Sequence, residues 1–458
     1  MAETPLIAFY GDDFTGSTDA LECLAATGLK SVLFLDVPTP DVLARFEGLE
    51  AVGLAGNGRS LTPDEMEAVI PPALEALRAT GAPILHYKVC STFDSSPTIG
   101  SFGRVMDIAQ RVFGRRTIPI VAGAPKLARF SFFGTLFARH NVDGTVHRID
   151  RHPTMSRHPT TPMREADMRR HIGAQTAQTI ALLAAPAIGG PNAEAALDAA
   201  LASDPDAILL DIADAAAEPR VGALLEHMAD GRAPLFVLGS SGVDYALVAA
   251  WRHQGRLPAE PPTLTAGAVD RLFVISGSCS PATGAQIHAA VAAGFAEVAI
   301  EPLKLIEDSP VGAYGRAMID RIVALLEAGR DVVAHSSTGA TDPREAAVAA
   351  YFAQRGVAAD AGRIQGGRAL ATAAGGLLDG VLRRVPLHRF VVAGGDTSTA
   401  AIKQLGIDAL EMVAPLFPGA PLCRALAPGR DLHGRELVLK GGQMGGPDFF
   451  LLAKAGRA

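Results

Sequence analysis

LIAFYGDDFTGSTDALECLAATG, residues 6–28, decides the fold. Five apolar residues, Leu6–Tyr10, read as a buried strand. Gly11, two aspartates and small polar residues then turn the chain. A periodic apolar run, Thr18–Thr27, reads as a helix. A strand feeding a helix through a short polar turn is the building block of an α/β sheet. The same alternation continues along the chain. Strands are expected at Ser31–Asp36, Ala51–Ala55, Ile84–Lys88, Ile118–Ala122, Ala207–Asp211, Pro234–Leu238, Leu272–Ser276, Asp331–Ser336, Arg389–Ala393 and Glu436–Lys440. Helices are expected at Asp64–Thr80, Glu165–Leu183, Pro281–Ala293, Ala317–Leu326 and Arg344–Phe352. Most strands are apolar on both faces, as in parallel sheets covered by helices on both sides. Phe130–Met163 reads mostly as a long irregular loop.

The chain has 458 residues, enough for two large domains or three small ones. Gln254–Ala266 (QGRLPAEPPTLTA) lacks any period and is rich in proline, so it reads as the linker. The expected architecture is two α/β domains with mainly parallel sheets, 1–255 and 268–458, with the active site in the cleft between them. Hydrophobic residues make up 48% and charged residues 19%, which excludes a mostly disordered chain. A net charge of −7 argues against a nucleic-acid or polybasic membrane-surface binder. Four cysteines without a CxxC pair point to neither a disulfide framework nor structural zinc. The opening residues carry no basic n-region and no long apolar run, so a cytoplasmic protein is expected. No apolar stretch is long enough to span a bilayer.

In open α/β sheets ligands bind beyond the carboxyl ends of the strands. Asp12 and Asp13 stand there, and Asp19 follows. They could take a proton, accept from sugar hydroxyls or hold Mg²⁺, or one of them could cap the helix. Lys88, Ser91, Thr92 and Asp94 follow the strand at 84. The segment 148–161 gathers Arg148, Arg151, His152, Arg157 and His158, a composition suited to an anionic small substrate or to a solvated basic surface. In the C-terminal half, Ser276–Pro281, His335–Gly339, Gly394–Ser398 and Lys440–Pro447 each follow a strand. Glycine turns at helix N-termini expose amides that favour phosphate, and a positive φ is expected at Gly395. GxxxxGK[ST] and GxGxxG are both absent, so neither a P-loop nor an ordinary dinucleotide site fits.

GDDFTGSTD (11–19) resembles the DDxTG signature of the four-carbon acid sugar kinase family. The likeness continues in YKVCSTFDSSPTIGSFG (87–103), HPTTPMREADM (158–168), SGSCSPAT (276–283), VVAGGDTS (391–398) and LKGGQMGGPDFF (439–450). The resemblance implies an N-terminal sugar-acid domain, a C-terminal ATP domain, and phosphorylation of the terminal hydroxyl of a four-carbon acid with ATP and Mg²⁺. It implies acid contacts on Asp12, Asp13, Lys88 and Ser91; from the residues themselves Asp13 or Asp12 is expected to be the base, with Thr92 and the basic-loop residues Arg157 and His158 also toward the acid. Nucleotide contacts would fall on Ser276, Ser278, Gly394, Gly395, Asp396, Thr397, Gly441 and Gly442, with Asp396 toward Mg²⁺. Where the threonate and erythronate branches carry DSTLRG, this chain has Cys90-Ser91-Thr92-Phe93-Asp94-Ser95, without the arginine. That departure is more similar to the 3-oxo-tetronate 4-kinase branch. A dehydrogenase and a non-catalytic sugar-acid sensor remain as alternatives from other classes, and a homodimer stays open.

Overall fold

The structure is a computed structural model describing residues 4–140, 143–158, 160–231, 233–308, 312–339 and 341–457. Pro159, within the HPTTPM stretch, lies outside the described residues. The chain divides into two compact units between Pro262 and Thr263.

The first unit contains β1 (Ile7–Gly11), β2 (Ser31–Phe34), β3 (Ala51–Ala55), β4 (Ile84–Lys88), β5 (Ile118–Val121), β6 (Arg129–Phe132), β7 (Thr135–Arg139), β8 (Val146–Arg148), β9 (Ile180–Leu183), β10 (Ala207–Leu210) and β11 (Leu235–Gly239). Eight of these form a parallel sheet in the order β2-β3-β1-β4-β11-β5-β10-β9. Every residue of β1 is buried, because helices cover both faces. Register decides where the chemistry falls. Gly11 pairs with both Ala55 and Lys88, and Lys88 pairs with Gly239, so the central strands end level. The residues that follow them leave the sheet along one edge.

The second unit contains β12 (Leu272–Ser276), β13 (Ala296–Ala299), β14 (Val332–His335), β15 (Arg389–Ala393), β16 (Ala409–Ala414), β17 (Leu422–Leu426) and β18 (Glu436–Lys440). Their order is β13-β14-β12-β15-β18-β17-β16, parallel up to β18 and antiparallel beyond it. Its core packs Leu272, Val274, Val391 and Val438 against Ile287, Phe449 and Phe450. Ser276, Ala393 and Lys440 share one register level and again bring three loops to one edge.

Two expectations are corrected. Phe130–Met163 is largely ordered: β6, β7 and β8 form a small antiparallel sheet, followed by two 3₁₀ turns. The alternation of Phe130, Ser131 and Phe132 was its legible signal. Glu165–Leu183 is not one helix. It is a short helix, Met168–Gly173, and then β9. The apolar run of β9 follows Gly173 and a polar turn, and the sheet's edge captures it.

Candidate functional site

In the first unit the chain turns sharply after β1. Asp12 is buried, its amide donates to the carbonyl of Lys88 (2.9 Å), and its own carbonyl accepts from Arg59 N (3.0 Å). The backbone between the two aspartates is therefore clamped by the loops of β3 and β4. Asp13 caps the helix Phe14–Ala25: its Oδ1 accepts from Gly16 N. Its Oδ2 pairs with Arg59 at 3.2 Å. Both oxygens of Asp13 are thus engaged, whereas Asp12 Oδ1 is buried without a hydrogen-bond partner. Burial pushes the Asp12 carboxyl well above the ordinary carboxylate range, and the neighbouring Asp13 charge adds to this. The stacked rings of Tyr10 and Tyr87 lie beside it.

Asp94 joins three loops. Its Oδ2 accepts from Arg59 (2.7 Å) and from Thr161 Oγ1 (2.7 Å), and its Oδ1 accepts from Thr92 Oγ1 (2.5 Å). His158 Nδ1 lies 3.9 Å from the same carboxylate. Burial opposes the Asp94 charge, but Arg59 and the two hydroxyls outweigh it and hold the pKa below its usual value. Burial likewise opposes the charge on Arg59, and the acidic groups around it more than offset this. The buried Phe93 between these partners has a left-handed φ of 55°, a backbone state that persists only where surroundings impose it.

Lys88 is buried beneath the first turn of the helix, with Nζ 3.4 Å from Asp19 and 3.3 Å from the carbonyl of Val89. Burial would discharge it, but Asp19, Asp244 and Asp13 keep its pKa raised. Ser91 is half-buried at the loop's start, and Arg157 is exposed with no ion pair among the described residues. The structure therefore brings Asp12, Asp13, Lys88, Thr92 and His158 together, and leaves Arg157 at the surface. Of the basic loop, Arg148 is paired with Asp150. Sequence reasoning missed Arg59. Its signal was GNGRS (56–60), a polar glycine turn after β3, the strand beside β1.

In the second unit the loops after β12, β15 and β18 interlock. Gly394 N donates to the carbonyl of Lys440, and Gly277 N to that of Ala393. A Cβ on Gly277 would stand 2.3 Å from Thr397 Oγ1, and one on Gly442 would stand 2.5 Å from Ser278 Oγ. Ser276 and Ser278 are buried and accept the amides of Ser278 and Ser280. The positive φ belongs to Gly394 (121°), not to Gly395 as expected, because the turn completes before the helix Gly395–Leu405 begins. Gly395 and Asp396 are exposed at that helix's first turn, with open space where a Gly395 side chain would go. The set Ser276, Ser278, Gly394, Gly395, Asp396, Thr397, Gly441 and Gly442 thus occupies one edge of one sheet. Among the described residues no three His, Cys, Asp or Glu side chains form a ready metal cage. One exposed carboxylate nonetheless suits Mg²⁺, which binds one or two carboxylates plus phosphate oxygens.

Residues 7–247 match a sugar-binding N-terminal domain and residues 273–450 a nucleotide-binding C-terminal domain. The chain belongs to the four-carbon acid sugar kinase family, and it is an ATP-dependent sugar-acid kinase. It is 44% identical to the 3-oxo-isoapionate kinase of Paraburkholderia graminis, over 99% of this chain and 94% of that one. It is 32% identical to the 3-oxo-tetronate kinase of Cupriavidus necator, over 98% and 96%. A solved Haemophilus influenzae protein shares the fold, with TM-score 0.71, 23% identity, and coverage of 98% of this chain and 99% of that one. The kinase class displaces the dehydrogenase and sensor alternatives. Among the described residues no helix is long and apolar enough to cross a membrane.

Two stability outcomes follow from the first unit's charges. Asp94→Asn leaves Arg59 half-paired. It should cost about 3 kcal/mol, the low end for a broken buried pair because Arg59 keeps some solvent contact, and lower the thermal midpoint by roughly 6–10 °C. An unchanged midpoint would contradict this. Asp12→Asn should do the reverse. A carboxyl whose folded pKa is raised contributes stability at low pH that is lost as pH rises through that pKa. The variant should therefore melt with wild type near pH 4 and above it at pH 8, by calorimetric scans at both. A wild type more stable than the variant at pH 8 would show that Asp12 is compensated.

Proposed function

We propose that the protein transfers the γ-phosphoryl group of ATP to the terminal hydroxyl of a 3-oxo sugar acid. The observation that carries this reading is the pairing of a buried carboxylate with a free oxygen, Asp12, and a cation held in place beside it, Arg59. Asp12 has lone pairs to accept the proton of the attacking hydroxyl, and burial, which raises its pKa, makes its ionised form a stronger proton acceptor. Asp13 is the holder of Arg59 and the cap of the helix, so taking that proton would weaken both contacts. Arg59 and His158 hold the substrate carboxylate, with Thr92 and Ser91 toward the polyol. Lys88 keeps Asp19 and the first helical turn in place and adds positive charge behind them. Arg59 takes the part of the arginine that the Cys90–Ser95 loop lacks.

On the nucleotide side, Ser276, Ser278, Gly394, Gly395 and Thr397, with Gly441 and Gly442, cradle the phosphates. Asp396 would hold Mg²⁺, which supplies charge neutralisation to the transferring group. The reaction then needs positioning more than covalent chemistry.

Both relatives' names carry a 3-oxo acid, and the higher identity favours 3-oxo-isoapionate over the 3-oxo-tetronate expected from the Cys90–Ser95 loop. A carbonyl at C3 accepts where a hydroxyl would also donate. Mispairing one buried polar group costs about 1–3 kcal/mol, roughly tenfold or more in specificity. ADP release measured over both 3-oxo acids, D-erythronate, L-threonate and D-threonate should give kcat/KM at least tenfold higher for a 3-oxo acid. It should vanish in excess EDTA. Equal kcat/KM across the panel would refute the substrate class.

Asp12→Asn should lower kcat by about 10²–10⁴ with KM for ATP little changed. Asp13→Asn should instead raise KM for the acid more than it lowers kcat, because Arg59 loses a tether. The opposite pattern would hand the proton to Asp13.

A further inference from the structure

The segment after β18, Lys440-Gly441-Gly442-Gln443-Met444-Gly445-Gly446, has its carbonyls tied from one side. Thr283 Oγ1 donates to the carbonyl of Gly442 (2.7 Å). Gln286 Nε2 donates to those of Met444 (2.8 Å) and Gly445 (3.0 Å). Thr283 and Gln286 lie in the helix Pro281–Ala292, and both are fully buried. The orientation of the Gln286 amide follows from chemistry: two carbonyls require its NH₂, not its oxygen, at that end. No peptide bond here is cis. In a trans peptide the N–H points opposite to its C=O. Three carbonyls drawn toward the helix therefore turn the amides of Gln443, Gly445 and Gly446 away from it. Among the described residues those three amides donate to nothing. Gly445 needs its left-handed φ of 85° to make the turn, and a Cβ there would strike Phe449.

Behind the loop stands Lys440. It is 1% exposed, its Nζ donates to Thr283 Oγ1 (3.0 Å), and no carboxylate pairs with it among the described residues. A buried ammonium without an anion is costly, so burial pushes its pKa down to about 8. Three outward amides with a cation behind them that no carboxylate neutralises among the described residues are the make-up of an anion site.

We propose that Thr283, Gln286 and Lys440 are positioning residues for the nucleotide's phosphates. Thr283 and Gln286 hold the loop with its carbonyls inward, so that the amides of Gln443, Gly445 and Gly446 face the polyphosphate. Lys440 fixes Thr283 and supplies the charge beneath. The proposal rests on the kinase reading and deepens it: sequence reasoning assigned Thr283 and Gln286 no part in nucleotide binding and Lys440 no role beyond opening the glycine turn.

The test is ADP binding by calorimetry on the full chain, together with separate KM values for ATP and acid. Thr283→Val keeps the shape and removes the hydroxyl. Gln286→Glu replaces the donor with an acceptor facing two carbonyls. Each should weaken ADP binding and raise KM for ATP by about tenfold or more, the effect of one lost buried hydrogen bond. KM for the acid should stay within about twofold, and Thr283→Ser should restore ADP binding. Lys440→Met should weaken ADP binding more than Lys440→Arg does. Wild-type ADP affinity in folded Thr283→Val and Gln286→Glu would overturn the proposal while leaving the kinase reading intact. Equal losses for acid and ADP without rescue by serine would mean a purely structural role, and would also overturn it. A wild type that binds no ADP would sink the kinase reading itself.

Discussion

The first unit's chemistry depends on one buried carboxylate. Asp94 has no solvent contact, yet it is ionised because Arg59, Thr92 and Thr161 satisfy it. Those three partners come from three loops that the sequence separates widely. A buried charge must be paired, so wherever Asp94 goes, the loop of β3 and the loop after the 3₁₀ turns must follow. Arg59 then reaches on to Asp13 and fixes the turn after β1. The neighbour left over, Asp12, is the only one of the three carboxylates around Arg59 with a buried oxygen that nothing satisfies. An unsatisfied buried carboxylate at the carboxyl edge of a parallel sheet costs stability, and such costs cluster where function requires them.

The second unit solves the complementary problem. Phosphates need amides, and amides are normally consumed by secondary structure. Here buried side chains absorb the carbonyls of one loop instead, which frees the opposite faces of its peptides. The glycines serve close approach: Gly277 and Gly442 lie against Thr397 and Ser278 without room for a Cβ. The result is a polar edge built without a P-loop lysine in sequence. Lys440 supplies its charge from the strand rather than from the helix turn.

Much of this was legible from the residues. The eleven strands read from apolar runs are all present, because fully buried parallel strands leave a strong signal. The turn after β1 and the glycine junctions lie where strand-end reasoning places them. Other features were not legible for physical reasons. The long helix Ala359–Leu382 carries six glycines, which local propensity reads as loop. They permit close packing instead: a Cβ on Gly366 would lie 2.7 Å from Val348. Arg59 was invisible because its role comes from a contact 35 residues away, with Asp94. Gln286 looked like an ordinary helical residue, since nothing local says that its amide would meet two carbonyls of a distant loop. The sequence left the choice between Asp12 and Asp13 open because motifs rank adjacent carboxylates equally; their different contacts, a helix cap and Arg59 for Asp13 and an unpartnered buried oxygen for Asp12, are visible only in three dimensions.

The central claim is that phosphate reaches a primary hydroxyl of a 3-oxo acid, not the acid's carboxylate and not water. The proton-coupled ³¹P spectrum of the purified product measures this directly. Phosphate on a terminal CH₂O group couples to two protons, and the account predicts a triplet from wild type with ATP and the preferred 3-oxo acid. A singlet, as an acyl phosphate or free phosphate would give, would contradict it.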